Sequence, residues 1–387
     1  MTSTPARTAR PWLGWWLSGA ATVVWILAVL VAGSGGRVLD NWESAATMLV
    51  GSFLAGSSPE GGGAVAFPVF TKALGVPGPV ARTFGLSIQA VGMTMASISI
   101  LLARRPIHRR AAVVGATAAI VGFGIGAFGF GESDLAFWPP SIGAAWVKAT
   151  FSIVLATTSF LMIRHLRQAG RHHHDPAGVG WNHRYDAALV VVAVLGGFLS
   201  SLTGTGANIV VFLFLVVLAG VGPRVALPTA IIVMTAVSIV GFVLFGLIDG
   251  QLDVAMVDDR VVAVGGKPVG AAIADGRSDL LGLWLAAIPV VVWGAPLGAL
   301  AASIVAERHL VRFVAFLAAI EVATTVVLVP ELRSEAALVA YLVLGLAALP
   351  TAFVLGQRYR SRVFGETEPH HRTGAEPMLT ATADKAN

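Results

Sequence analysis

The feature that most constrains this chain is a series of long apolar blocks, at residues 12–33, 79–103, 111–130, 142–163, 226–248, 280–303, 310–329 and 336–356. Most of them reach the ~20 residues that a helix needs to cross a ~30 Å hydrocarbon core. Inside lipid each backbone amide must be satisfied within the protein, so such blocks read as helices. Composition agrees, with 56% of the 387 residues hydrophobic and only 12% charged, against roughly 25% charged in soluble domains. The expected fold class is all-α, a polytopic protein of the cell membrane.

The chain has no cysteine, which excludes disulfides, thiolate nucleophiles, iron–sulfur clusters and Cys-type zinc sites. Its net charge of +5 and pI near 10.1 do not point to nucleic acid, because membrane proteins concentrate Lys and Arg in cytoplasmic loops. The first block, Trp12 to Ala32, follows Arg7 and Arg10. It exceeds the 7–15 residues of a signal-peptide core, so an uncleaved additional transmembrane helix is expected at 12–33, after a cytoplasmic segment 1–11.

Charge sets the expected orientation. With the N-terminus inside, segments 1–11, 104–110, 164–185, 222–225, 304–312 and 357–387 fall in the cytoplasm and hold 18 of the 26 Lys and Arg residues. Segments 34–43, 131–141, 249–279 and 330–335 fall outside and hold 5, as the positive-inside rule requires. This closes with both termini cytoplasmic only if two special segments, 44–76 and 186–221, each return to the side from which they start.

Each special segment is a pair of apolar stretches split by a glycine-rich centre, Ser57-Ser58-Pro59-Glu60-Gly61-Gly62-Gly63 in the first and Ser200-Ser201-Leu202-Thr203-Gly204-Thr205-Gly206-Ala207-Asn208 in the second. Stretches of about 15 residues are marginal for a crossing at ~1.5 Å per residue. Glycine-broken or re-entrant helix pairs are expected, with short tilted spans as the other reading. A shift of 145 residues aligns the two without a gap: Gly51, Phe53 and Leu54 fall on Gly196, Phe198 and Leu199. Val65 and Phe67 meet Val210 and Phe212, Gly75 and Val76 meet Gly220 and Val221, and Val80 and Ala81 meet Val225 and Ala226. By the charge argument the copies start on opposite sides. The expected organisation is two inverted repeats, 44–163 and 186–356, joined by a cytoplasmic linker 164–185. An extracytoplasmic loop 249–279 interrupts the second repeat, and a polar tail 357–387 follows. Inverted repeats with matching helix breaks are a mark of secondary transporters.

A helix break frees amide donors at the start of the next half-helix, where the dipole also favours anions. Gly61, Gly62 and Gly63 allow close approach to that backbone, and Thr203, Gly204, Thr205, Gly206 and Asn208 would complete the matching half. The expected ligand is a small oxyanion between the two breaks. The plainer reading is that glycine here serves helix packing, as Gly122, Gly124, Gly126 and Gly129 would in their own span. Charges inside apolar segments are costly and mark functional candidates. Glu60 at the first break is either a proton-coupling group or a helix cap. Arg82 either attracts the anion or reaches to headgroups, and Lys72 and Lys148, nearer the outer surface, read as reaching to headgroups. Glu321 lies mid-span with no partner evident in sequence and is a second coupling candidate. Ser87 and Gln89 are candidates to line the pathway. His172-His173-His174 with Asp175 lacks the i, i+4 spacing of a helical metal site, so no metal is expected. Residues 261–269, with a Gly265-Gly266 turn between β-branched runs, read as a small hairpin.

Ser58-Pro59-Glu60-Gly61-Gly62-Gly63-Ala64, then Phe67-Pro68-Val69, with the later Gly204-Thr205-Gly206 and Ala226-Leu227-Pro228-Thr229, resemble the TauE/SafE sulfite exporter family over about residues 44–356. The second copy departs from the first at Ala207-Asn208, which replace two glycines, and at Leu213 in place of Pro68. The resemblance implies a transporter of sulfur-containing anions, such as sulfite or an organosulfonate, coupled to an ion gradient. A passive anion channel is the rival within transport; a membrane assembly or scaffold protein is the rival of another class. An intramembrane enzyme is not expected, since no H-E-x-x-H or G-x-S-x-G element occurs. No cofactor is implied. The expected partners are a small anion, a coupling proton and membrane lipid; no nucleic acid is expected, and an oligomer remains open.

Overall fold

In the computed structural model the described residues are 11–129, 143–168, 181–257, 260–268 and 279–358. The chain runs α1 (Pro11–Val31), α2 (Gly35–Asp40), α3 (Trp42–Ser57), α4 (Gly63–Pro68), α5 (Gly78–Leu102), α6 (Arg109–Gly129) and α7 (Ala144–Gln168). It continues as α8 (His183–Thr203), α9 (Ala207–Leu213), α10 (Pro223–Gly241), α11 (Leu280–Ile304), α12 (Glu307–Leu328) and α13 (Ala336–Arg358). Among the described residues nine helices are long and apolar enough to cross a membrane: α1, α5, α6, α7, α8, α10 with its extension to Ile248, α11, α12 and α13. The outer faces of α1 and α13 are exposed and apolar, with Trp16, Val31 and Leu344 among the most exposed side chains. Such a belt is stable against lipid, not water. This is an all-α, multi-pass membrane protein.

Two ends of the bundle can be told apart by their contacts. At one end β1 (Val254–Val257), β2 (Arg260–Val264) and β3 (Lys267–Pro268) form an antiparallel sheet. The expected hairpin is present: Val264 pairs with Lys267 across Gly265 and Gly266, both at positive φ, as a tight two-residue turn requires. At this end Arg37 grips Asp279 through Nε and Nη2 at 2.5 Å each, while the same carboxylate caps α11 at Gly282 N. Thr83 Oγ1 also donates to Gln251 Oε1 at 2.6 Å. At the opposite end Arg105 donates to Ala299 O, His108 N to Thr229 Oγ1, and Arg110 to the Asp186 carboxylate.

The two special segments each leave and return to one end. Ser44 at the start of α3 donates to Leu283 O beside the sheet end, and α5, which follows α4, begins there. Residues 183–223 begin and finish at the opposite end, where Asp186 and Thr229 are held. Their local geometry repeats at the 145-residue shift. Gly61 and Gly206 both have positive φ, as do Gly75 and Gly220. Both half-helices run on as a wide π-helical turn, Val69–Ala73 and Phe214–Leu218. Both close with the same bond, from Val76 N to Phe70 O and from Val221 N to Leu215 O, at 2.8 Å. The next helix starts at Gly78 in one and Pro223 in the other. The match is not complete, because α3 has 16 residues and α8 has 21. At ~1.5 Å per residue α8 is roughly 31 Å long, more than the marginal length expected.

Close glycine contacts hold the two long packing pairs. A Cβ at Gly298 would lie 2.0 Å from Phe53 O and one at Gly56 2.0 Å from Ala295 O, so α3 and α11 touch backbone to backbone. On the other side a Cβ at Gly122 would lie 2.0 Å from Val194 O and one at Gly126 1.9 Å from Ser201 Oγ, joining α6 to α8. This is the small-residue packing that lets membrane helices approach closely. Gly122 and Gly126 therefore serve packing as expected. Gly124 and Gly129 do not: the first would meet only the Phe128 ring at 3.9 Å, the second nothing. Residues 1–10, 130–142, 169–180, 258–259, 269–278 and 359–387 lie outside the described residues. With them lie the segment 131–141, His172–His174 with Asp175, and nearly all of the expected tail.

Candidate functional site

The two breaks meet inside the bundle. An ideal Cβ on Gly61 would sit 2.7 Å from Asn208 Nδ2, and one on Gly63 would sit 2.4 Å from Thr205 Cγ2. Gly204 lies against α5, where a Cβ would fall 2.5 Å from Arg82 O. On the same helix Gln89 Nε2 donates to Gly204 O at 2.8 Å. The glycines thus let three backbones converge where side chains would hold them apart. Gly61 also needs its left-handed conformation (φ +69°), which costs an L-residue ~1–2 kcal/mol.

Around this junction lie buried polar groups whose hydrogen-bonding capacity is unmet. Glu60 is 1% exposed, and neither carboxylate oxygen makes a well-formed hydrogen bond, its own backbone amide and the Ser58 hydroxyl being the polar groups acting on it. Both amide atoms of Asn208, Thr205 Oγ1 and Gln89 Oε1 have no hydrogen-bond partner. Ser87 Oγ, on the same helix as Gln89, is likewise buried and unpartnered. More than nine in ten buried polar groups in native proteins are satisfied, and leaving one unmet costs ~1–3 kcal/mol. A cluster of them marks a place for a polar ligand or water.

The expected site residues separate on inspection. Glu60, Gly61, Gly63, Thr205 and Asn208 come together at the junction. Gly62 faces α3, where a Cβ would meet Gly51 O at 2.9 Å, and Gly206 faces the Leu199 side chain. Thr203 is a structural cap: its hydroxyl bonds to Leu199 O at 3.0 Å and Thr205 O at 2.6 Å. No side chain caps α4, so Glu60 is not the cap of that helix, although its carboxylate lies beside its own backbone amide and the Ser58 hydroxyl. The headgroup reading of Arg82 fails as well, because it is 4% exposed with its guanidinium 4.2 Å over the Phe245 ring, a cation–π arrangement. Lys72 is not at the lipid surface either. Its side chain is 4% exposed and pairs with Glu321 Oε1 at 2.6 Å, so Glu321 does have a partner, well away in sequence.

Two features are not evident in the sequence. Ser200 Oγ accepts from Ala207 N at 2.9 Å, occupying a donor at the start of α9; its counterpart at the 145-residue shift is Ala55, and α4 has no such cap. A cavity of about 370 Å³ reaches the first break, with Ser57, Ser58, Pro59 and Glu60 on its wall. Arg105, Arg224 and Ser303 line it from the end opposite the sheet. The two arginines had a visible signal, since both lie in basic loops, but nothing in the sequence tied those loops to Glu60. Among the described residues no group of three or more His, Asp or Glu is placed to hold a metal ion.

No curated protein and no solved structure shows a significant match to the chain. The family model described as sulfite exporter TauE/SafE matches residues 44–323, which spans both breaks, the helices that carry them, α11 and most of α12. The chain belongs to the TauE/SafE sulfite exporter family.

Proposed function

We propose that this protein is a secondary transporter that carries a small anion, sulfite or an organosulfonate, across the cytoplasmic membrane by alternating access. The observation that carries this reading is the cluster of buried, unpartnered polar groups where the two glycine breaks meet. Asn208 Nδ2 and Thr205 Oγ1 supply donors from one break. The uncapped start of α4 supplies backbone amides and the positive end of a helix dipole from the other. A family of sulfite exporters supplies the ligand class.

Two inverted repeats, 44–163 and 186–356, supply the mechanism. The matched local geometry at the 145-residue shift supports them, as does the exchange of packing partners, α3 on α11 and α8 on α6. By the positive-inside argument the end with Arg105 and Arg224 is cytoplasmic. The cavity then opens to the cytoplasm, and exchange of the two repeats' conformations would open the site to the sheet side instead. Glu60 sits on the cavity wall beside the junction. Its charge would repel an anion, so a bound proton on Glu60 accompanies the substrate.

Binding tests this directly. Purified protein should be stabilised against heat by sulfite or a short alkanesulfonate, and Asn208→Ala should abolish the shift while leaving the ligand-free melting point within a few degrees. Equal stabilisation of wild type and Asn208→Ala would remove the junction as the binding site.

A further inference from the structure

The ion pair between Lys72 and Glu321 lies apart from the junction. Lys72 sits in the π-helical turn after α4, three residues before Gly75, which ends the first helical hairpin (α3 with α4 and its turn), the second being α8 with α9 and its turn. Its ammonium donates to Glu321 Oε1 (2.6 Å), Glu321 O (3.3 Å), Thr324 Oγ1 (3.2 Å) and Thr325 Oγ1 (2.7 Å). Glu321 Oε1 also accepts from Ser152 of α7 (3.1 Å) and Thr325 (3.3 Å). Glu321 Oε2 is buried with no partner. Among the described residues, Lys148 of α7 is the further charged group acting on Lys72. The cluster joins the first hairpin to α7 and α12, about two turns in from the ends of those helices that face the sheet.

The second hairpin is docked differently. The residue matching Lys72 at the 145-residue shift is Val217, buried in an apolar cluster with Leu161, Ile209 and Leu213. At the matching position, apolar contact thus takes the place of the ion pair. Replacing a buried ion pair by apolar residues is often neutral or stabilising, whereas removing one partner is strongly destabilising. The pair thus suits a device that must open more than it suits a permanent tie.

We propose that Glu321 is a proton-binding site whose occupancy releases a latch between Lys72 and α12 on the sheet side of the membrane. The proposal rests on the transport reading above. A proton from the sheet side binds Oε2, the carboxylate becomes a neutral acid, and no other bond is made or broken. Lys72 then keeps its hydroxyl and carbonyl acceptors but loses its counter-charge. An uncompensated ammonium in a dry site is drawn toward water, and Lys has the flexible stem to reach it. Because Lys72 belongs to the same hairpin as Gly61 and Gly63, its release frees that hairpin where the bundle is closed, while the cavity is open at the other end.

The absence of cysteine allows a clean test in proteoliposomes. Ala81 is 2% exposed in the cluster that seals the first hairpin against Phe84, Leu252 and Val254. A cysteine placed there by Ala81→Cys is labelled with a membrane-impermeant maleimide from the sheet side. Each rate is divided by that of Asp253→Cys, an exposed position, to cancel the pH dependence of the thiolate. The normalised rate should rise on acidification by up to about tenfold per pH unit, the limit for one linked proton. Adding Glu321→Gln should make it high at every pH, and adding Lys72→Met with Glu321→Leu should make it low at every pH. A rate that ignores pH in the parent, or follows pH equally in the Lys72→Met/Glu321→Leu variant, overturns the proposal. Should Glu321→Gln not fold, the apolar double variant decides alone. Labelling needs no substrate, so a responsive latch without anion flux would sink the transport reading only, and flux with an unresponsive Ala81→Cys would sink the latch only.

Discussion

Replacing Gly63 with alanine puts a methyl carbon 2.4 Å from Thr205 Cγ2 and 2.6 Å from Thr205 Cβ. Ordinary carbon contacts lie at ~3.5–4.0 Å, so the two breaks must part by roughly 1 Å. Thr205 has little freedom to yield, because it is fully buried and its carbonyl is held by Thr203 Oγ1 at 2.6 Å. Overpacking of this kind costs about 1–3 kcal/mol of folding stability. Thr205→Gly removes the three atoms nearest the new methyl. In that background Gly63→Ala should cost less than about 0.5 kcal/mol, which makes the two substitutions strongly non-additive. The assay is a double-mutant cycle on melting points in detergent at one scan rate, repeated with sulfite or a sulfonate present. Additive effects would refute the claim that the two breaks touch, and with it the shared site.

Four further outcomes follow from the same geometry. Gly62→Val should abolish transport while leaving membrane insertion intact, because its Cβ would meet Gly51 O at 2.9 Å; unchanged uptake would contradict this. Glu60→Gln should remove the dependence of flux on an imposed pH gradient while sparing exchange of anion for anion, and retained gradient dependence would place proton coupling elsewhere. Arg105→Ala with Arg224→Ala should raise the apparent KM and flatten its dependence on ionic strength, since charges at a cavity mouth, here one exposed and one half-buried, steer anions through screened fields; an unaltered salt profile would deny them that role. Impermeant labelling of Asp253→Cys and Arg104→Cys should come from opposite sides of a sealed vesicle, and labelling from one side would overturn the proposed topology.

The helices were legible in the sequence because lipid permits few alternatives. An apolar block such as 280–303 has little choice but to become α11, and it does so despite Pro289 and Pro296. The paired breaks were legible from Gly61-Gly62-Gly63 and Gly204-Thr205-Gly206, and the sheet turn from Gly265-Gly266. The π-helical turns had no such signal: Pro68 precedes the first, but Leu213 stands before the second, so the proline does not make the turn. Partners distant in sequence were also hidden. Lys72 and Glu321 are 249 residues apart, and apolar periodicity records which residues are buried but not which ones meet. For that reason the sequence places Lys72 at headgroups and the Thr203 hydroxyl in the ligand site, whereas Lys72 meets Glu321 and the Thr203 hydroxyl is engaged by Leu199 O and Thr205 O. The cavity, assembled from seven separate stretches of chain, could not be seen in any one of them.

The central claim is coupled anion transport, and flux in proteoliposomes tests it most directly. Sulfite and a short sulfonate would be followed with and without an imposed pH gradient. The account predicts saturable flux that follows the gradient and loses that dependence in Glu60→Gln. Flux that neither saturates nor responds to the gradient would indicate a passive pore and contradict it.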